Sequence, residues 1–513
     1  MNKDNSTKKL SIVERIGSKI PDPVMIFIGL FVIVMIITLF LGGTTFETMG
    51  NDGTTTVNTI KNMFTSENIR WLFDNAILTN WLAYAGGILG TILIVMFGIG
   101  IAEESGLLST LIRKLGGNIP ERFMPYLLVF LGIMSNIASD AGYVVLIPLA
   151  GLLYLGMKKN PLIGMFAAFA GVSAGFSANL VPATVIDVII GKNAQGFAEA
   201  QGVPFVNAAG EALSPFTMHY FFMVASTILL VLLGGFITNK FIRPKFEKID
   251  YIVPEDINIS DFSVSEADKK GLRWAGLGFL LSIVIVAILA FGPLAPYVDE
   301  TGAEVTPFLD NIILLITFIF FTCGIFYGFG SKKFKNSQDV VTAMSKQIGS
   351  MGYTIVLTFF SYNFLALLSY TGLGTYITYL GATVLQNLGL SNHPMLLIIA
   401  FILVTAIINL FVGGLTSKWL LLGPIFIPML YQANPNMTPD VVSAAYRLAD
   451  SSTNIITPLM TYAGVILVFM RKYKKDFSVG NLIGAMFPYS ISYLIAWTAL
   501  LLAFIQFGIP LGF

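Results

Sequence analysis

The chain has 513 residues, 55% of them hydrophobic and 12% charged, with a mean hydropathy of +0.78. Soluble domains run nearer ~45 to 50% apolar and ~25% charged, so this is the composition of a polytopic membrane protein. Thirty Lys and Arg against 29 Asp and Glu leave a net charge of +1 and no electrostatic footprint for nucleic acid, while a single cysteine, Cys323, excludes an intramolecular disulfide and a cysteine metal centre.

A membrane-crossing helix needs ~20 apolar residues. The first candidate, 24–41, comes after a tail carrying Lys3, Lys8, Lys9, Arg15 and Lys19 and has no small-residue cleavage site after it, which predicts an uncleaved first span. Next is a polar loop at 43–81, ordered through Trp71 and Trp81. Further spans are expected at 82–101, 162–190, 216–237, 273–292, 308–329, 347–368, 443–470 and 483–508, nine in all. His219 and His393 are isolated at segment ends and read as solvated interfacial residues.

Two other regions, 123–157 and 395–431, are apolar but interrupted by polar residues. As helices, the arms 123–134 and 143–157 would be about 18 and 22 Å long, too short to cross alone. Treating each region as a re-entrant hairpin puts 25 of the 30 Lys and Arg on one side and leaves only Lys61, Arg70 and Lys192 on the other, with Lys418 and Arg447 inside the membrane. Basic loops stay cytoplasmic. The expectation is therefore an all-α polytopic membrane protein with nine transmembrane helices, two opposed re-entrant hairpins, the N-terminus inside and the C-terminus outside.

Opposed hairpins imply an inverted repeat with broken helices. The organisation expected is a tail, first span and outer loop over 1–81; a first repeat over 82–237 with its hairpin at 123–157 opening from the cytoplasm; a cytoplasmic linker and two scaffold spans over 238–346; and a second repeat over 347–513 with its hairpin at 395–431 opening from outside. Two motifs support the duplication: Ser177-Ala178-Asn179-Leu180-Val181-Pro182 and Ser452-Thr453-Asn454-Ile455-Ile456-Thr457-Pro458. Each places an amide, hydroxyls and a helix-breaking proline inside an apolar segment. Secondary transporters build midplane binding sites from such breaks.

The polar groups within the membrane form a short set. Asn136, Ser139, Asn179 and Asn454, with the carbonyls freed at helix breaks, suit a hard monovalent cation, so Na+ is expected near Asn136, Asn179 and Asn454. Asp187 is either a solvated cap or a protonatable coupling group, and Asp140 either caps the second hairpin arm or joins the site. Arg447 and Asp450, three positions apart on a helix, either neutralise one another or offer Arg447 to a substrate carboxylate. Lys418 either snorkels or faces the site. Trp419 is either packing or a platform for a substrate ring. Thr416, Ser417 and Asn409 complete the polar hairpin tip.

At these residues the chain resembles the AbgT family, the p-aminobenzoyl-glutamate transporters of bacteria. The resemblance rests on Ser135-Asn136-Ile137-Ala138-Ser139-Asp140-Ala141-Gly142-Tyr143, on 171–180 with Asp187, on Thr416-Ser417-Lys418-Trp419, and on Tyr446-Arg447-Leu448-Ala449-Asp450-Ser451-Ser452-Thr453-Asn454-Ile455-Ile456-Thr457-Pro458. It implies a homodimer in the bacterial cytoplasmic membrane, with a bowl open to the cytoplasm. It also implies cation-coupled movement of p-aminobenzoyl-glutamate, or export of sulfonamides that mimic its ring. The residues it assigns to function are Asp187, Asn409, Trp419, Pro439, Arg447 and Asp450. The stretch from Trp419 to Asp450 is longer than the family pattern, with the extra length around Asn434 to Met437 bearing on the place of Pro439.

The function expected is thus secondary transport of an aromatic carboxylate, with Na+ or H+ as coupling ion and no cofactor. A Na+/dicarboxylate carrier is the close alternative; the extra intramembrane carboxylates and Trp419 favour an aromatic substrate. A channel and an intramembrane aspartyl protease using Asp187 and Asp450 are remote. The protease would need a Gly-x-Gly-Asp context, and Asp450 comes after Arg-Leu-Ala. No phosphate-cradling loop exists for an ATP-driven pump.

Overall fold

A computed structural model describes residues 21–49, 55–84, 88–116, 119–138, 142–253, 264–298, 304–410, 414–457 and 462–513. Among them, six helices are long and apolar enough to cross a membrane: Pro23–Leu41, Tyr220–Phe246, Glu266–Ala290, Ile312–Gly330, Gly352–Tyr370 and Val479–Gln506. These match six of the nine expected spans. Of the other three, 82–101 is helical over Ile88–Glu104, 17 residues, and 162–190 and 443–470 are interrupted.

The interruptions fall where the sequence carries glycine, asparagine and proline. Helix α1, Pro161–Phe169, continues as a wider turn over Ala170–Ala174, stops at Gly175, and helix resumes as α2, Val185–Glu199. The restart is set by a capping box in which the Thr184 and Asp187 side chains each take the other's backbone N–H. Helix α3, Pro439–Asn454, ends at Ile455, and helix returns as α4, Ala463–Tyr473. Pro458, expected to break the second of these helices, lies outside the described residues, as do Ser139 and Asp140.

The regions read as hairpins each contain two apolar helices. The first holds Met124–Ser135 and Ile147–Gly156, and the second holds α5, Pro394–Asn409, and α6, Leu415–Ala433. Backbones approach closely here. A Cβ added at Gly171 would lie 2.3 Å from the Val129 carbonyl oxygen and 2.9 Å from the Gly132 Cα, so only glycine lets α1's continuation sit against 124–135. Helix α6 begins directly after Gly414, whose φ of +80° is one that residues with a Cβ rarely adopt.

Helix α3 occupies the centre. Every residue from Pro439 to Thr453 is buried, although Asp440, Ser443, Arg447, Asp450, Ser451, Ser452 and Thr453 are polar. It packs against α5, α6, α2 and Val479–Gln506, so the two interrupted helices meet there. At the periphery, Pro23–Leu41 and Glu266–Ala290 present exposed apolar side chains, among them Phe40, Leu280, Val284 and Ile288, as lipid-facing surfaces do.

The described residues are mostly helical and include two short antiparallel ribbons. Thr45–Met49 pairs antiparallel with Thr55–Thr59, and Tyr297–Val298 with Glu304–Val305. The outer loop is held by Trp71 stacked on Tyr370 at 3.7 Å and by the Trp81 indole N–H donating to Thr358 Oγ1 at 3.1 Å.

Candidate functional site

Two buried ion pairs radiate from α3. Arg447 Nη1 lies 2.8 Å from Asp187 Oδ1, with both side chains almost closed to solvent. One turn further along, Asp450 Oδ1 lies 2.6 Å from Lys418 Nζ, and both are fully enclosed. Arg447 and Asp450 therefore do not neutralise each other. Three positions on a helix turn the second side chain about 60° away from the first, so each finds its partner on a different neighbouring element.

Asp187 does two jobs. Its Oδ2 accepts from the Thr184 N–H at 3.0 Å and the Thr184 hydroxyl at 2.8 Å, which caps α2. The other oxygen is left for Arg447. The carboxylate caps the helix as one reading expected, but it is buried rather than solvated.

Arg447 reaches three groups. Besides Asp187, Nη2 donates to the Ser177 carbonyl at 3.0 Å, a group freed by the break after α1, and Nη1 faces His219 Nδ1 at 3.1 Å. The His219 tautomer is fixed from its other side. Nε2 lies 2.9 Å from the Asp440 carbonyl oxygen, which can only accept, so Nε2 carries the proton and Nδ1 accepts from Arg447. His219, expected in interfacial water, is buried and is part of this network. No sequence signal marked it, since its partners come from remote segments.

A narrow cleft beside this cluster, with room for about one water molecule, is lined by Val181, Pro182, Pro215, Met218 and Met223 together with Asp187, His219 and Arg447. In this state the cleft holds neither a carboxylate nor a whole aromatic amino-acid conjugate.

Lys418 does not snorkel. Its ammonium, entirely buried, donates to Asn409 Oδ1 as well as meeting Asp450. The Asn409 amide nitrogen is 2.6 Å from the Asp450 carbonyl oxygen, 2.7 Å from Thr453 Oγ1 and 3.1 Å from Asn454 Oδ1. Asn454 Nδ2 in turn donates to Asp450 Oδ2 at 3.2 Å. Asn409, Lys418, Asp450, Thr453 and Asn454 thus form one closed network between α5, α6 and the end of α3.

Trp419 is fully buried; its indole N–H donates to the Ile190 carbonyl at 3.1 Å and its ring sits 4.7 Å from Tyr446 and 5.8 Å from Phe197. It packs against these rings in the state described. Ser417 Oγ bonds the Gly414 carbonyl at 3.2 Å, Thr416 is half-buried, and Pro439 is the first residue of α3. In the first half, Asn179 Oδ1 accepts from the Val181 N–H at 2.9 Å. The Asn136 side chain and the Ser177 hydroxyl are buried without a hydrogen-bond partner among the described residues.

Residues 8–513 match the model of the AbgT putative transporter family. The chain is 29% identical to the p-aminobenzoyl-glutamate transport protein of Escherichia coli K12 over 511 residues, which is 99% of this chain and 96% of that one. Its fold is similar to the crystal structure of the YdaH transporter of Alcanivorax borkumensis, with a TM-score of 0.85, 33% identity, and coverage of 96% of this chain and 100% of that one. It is also similar to MtrF of Neisseria gonorrhoeae, described among antimetabolite efflux pumps, with a TM-score of 0.82, 34% identity, and coverage of 95% and 96%.

Proposed function

Given that this chain belongs to the AbgT family and is a membrane transporter rather than an enzyme, we propose that it moves p-aminobenzoyl-glutamate or a related aromatic anion by secondary active transport coupled to Na+ or H+. Sulfonamides, which share the aminobenzene ring, fall within the same substrate class. The observation that carries this reading is Arg447, a buried guanidinium that borders a cleft and whose charge is balanced by Asp187. A substrate carboxylate entering there would take over part of that balance, and charge-assisted hydrogen bonds from a guanidinium are the natural means of holding it.

Access to the site depends on the membrane arrangement. Nine spans, two re-entrant hairpins of opposite orientation and an inverted repeat would bring both helix breaks to the bilayer midplane, with the N-terminus inside, the C-terminus outside and two chains in a dimer in the bacterial cytoplasmic membrane. Asn136 and Ser177, with buried oxygens and no described partner, are the groups suited to the coupling cation in the first half. Asp187 and Asp450 are the candidates for a coupling proton.

The test is flux of labelled p-aminobenzoyl-glutamate and of a labelled sulfonamide in proteoliposomes, with Na+ and pH gradients imposed separately. Acceleration by either gradient, lost in Arg447→Ala, supports the reading. Flux of neither compound under either gradient contradicts it.

A further inference from the structure

The two halves of the molecule differ in what fills their polar breaks. In the first half, the Asn136 amide and Ser177 hydroxyl have no partner among the described residues. In the second half, the Lys418 ammonium, which is 0% exposed, donates to Asn409 Oδ1 and forms an ion pair with Asp450 Oδ1, an oxygen with no hydrogen bond among the described residues. Lys418 reaches this point from the first turn of α6, back across the hairpin tip to Asn409, the last residue of α5. Carbonyls converge at a helix C-terminus, and a positive charge is favoured there.

We infer that Lys418 is a tethered cation that takes the place of a soluble coupling cation in the second half, so that the number of soluble cations bound per chain is set by the first half alone. The inference rests on the transport reading above and refines its cation count.

Charge balance makes the case. Arg447 and Asp187 form one neutral pair and Lys418 and Asp450 the other. A metal ion added beside Asp450 would leave an uncompensated positive charge in a site closed to water, where an unpaired ion is strongly disfavoured. The ion could enter only if the ammonium left. Conversely, a neutral residue at 418 would leave the Asp450 carboxylate unbalanced beside the Asn409 side-chain oxygen, an oxygen set that suits Na+.

The alternative is an ordinary buried ion pair that merely fastens the hairpin to α3. Removal of the lysine charge separates the two: a fastening is simply lost, whereas a cation position is refilled.

The experiment is equilibrium binding of 22Na+ to the purified full-length protein in detergent, with choline replacing Na+ at constant ionic strength. Lys418→Gln is expected to bind one more Na+ per chain than the unaltered protein. Lys418→Arg, which keeps the charge, and Lys418→Gln combined with Asp450→Asn, which removes both charges, are expected to show no increment. No increment in folded Lys418→Gln overturns the inference. Should Lys418→Gln fold only in Na+ and not in choline, the inference is supported; failure to fold in both, while the doubly neutral variant folds, overturns it. The increment is separable from the transport reading, because Na+ bound by the unaltered protein reports the first-half site, whereas the difference reports position 418.

Discussion

Asp187 and Arg447 lie on two different interrupted helices, and their charged groups meet at 2.8 Å in the interior of the molecule. The contact fastens the restart of one broken helix to the centre of the other. It also explains how so polar a helix as α3 is held inside: Arg447 and Asp450 are matched by partners from α2 and α6, and the hydroxyls of Ser443, Ser452 and Thr453 bond carbonyls of their own helix.

Breaking this pair from one side should be costlier than removing it. Arg447→Ala or Asp187→Ala alone leaves a buried charge uncompensated, an effect of about 3 to 5 kcal/mol. The double variant should lose less than the sum of the two. Thermal unfolding of the purified variants measures both, and additive losses would mean the two charges are not coupled.

Trp419 should behave as a packed residue in the state described. Trp419→Ala removes a fully buried indole and is expected to destabilise by about 3 to 5 kcal/mol. Trp419→Phe keeps most of the ring contact and loses the bond to Ile190, a change of about 0.5 to 1.5 kcal/mol, with the transport KM unchanged. A KM that rises tenfold in Trp419→Phe, with stability kept, would instead make the indole a substrate contact.

Gly171 and Gly29 make a contrasting pair. A methyl group at 171 collides with the Val129 carbonyl, whereas nothing lies within 4 Å of the position it would take at 29. Gly171→Ala is expected to cost about 1 to 3 kcal/mol by overpacking, and Gly29→Ala to stay within about 0.5 kcal/mol. The folded fraction recovered by size exclusion compares them.

Ahead of the apolar stretch 273–292, Asp268 caps Glu266–Ala290 and accepts from the Tyr327 hydroxyl at 2.8 Å, with Arg113 at 3.5 Å. Partial burial pushes its carboxyl up, but the bonds from Tyr327 and Ser265 and the Arg113 charge outweigh it and hold it below the ordinary carboxylate value. A depressed value in the folded state means stability that is present above the unfolded carboxylate pKa, near ~3.9, and is lost as pH falls through the folded one. Melting temperature followed from pH 6 to pH 3 should therefore fall less steeply in Asp268→Asn than in the unaltered protein.

Much of the architecture could be read from hydropathy and punctuation. Six spans are set directly by apolar length. The break after Gly175 and the restart at Thr184 are visible as glycine and as Thr-x-x-Asp, a capping pattern with a physical cause. The pairing of charges was not legible. Local spacing points from Arg447 to Asp450, and only the packing of α2 and α6 on α3 supplies the closer partners Asp187 and Lys418. The ribbon at 45–59 and the helices Ser337–Ser350 and Leu373–Asn387 escaped for a different reason. They are neither long apolar runs nor marked by intramembrane polar residues, so neither signal points to them.

The central claim is that two units of opposite orientation bring the broken helices together, and hairpin accessibility tests it most directly. With the buried Cys323 replaced by Ser, single cysteines at the exposed positions Arg122 and Asn436, one beside each hairpin, can be labelled by a membrane-impermeant maleimide in intact cells and in inside-out vesicles. The expected result is labelling of Arg122→Cys only from the cytoplasmic face and of Asn436→Cys only from outside. Labelling of both from the same face would contradict the claim.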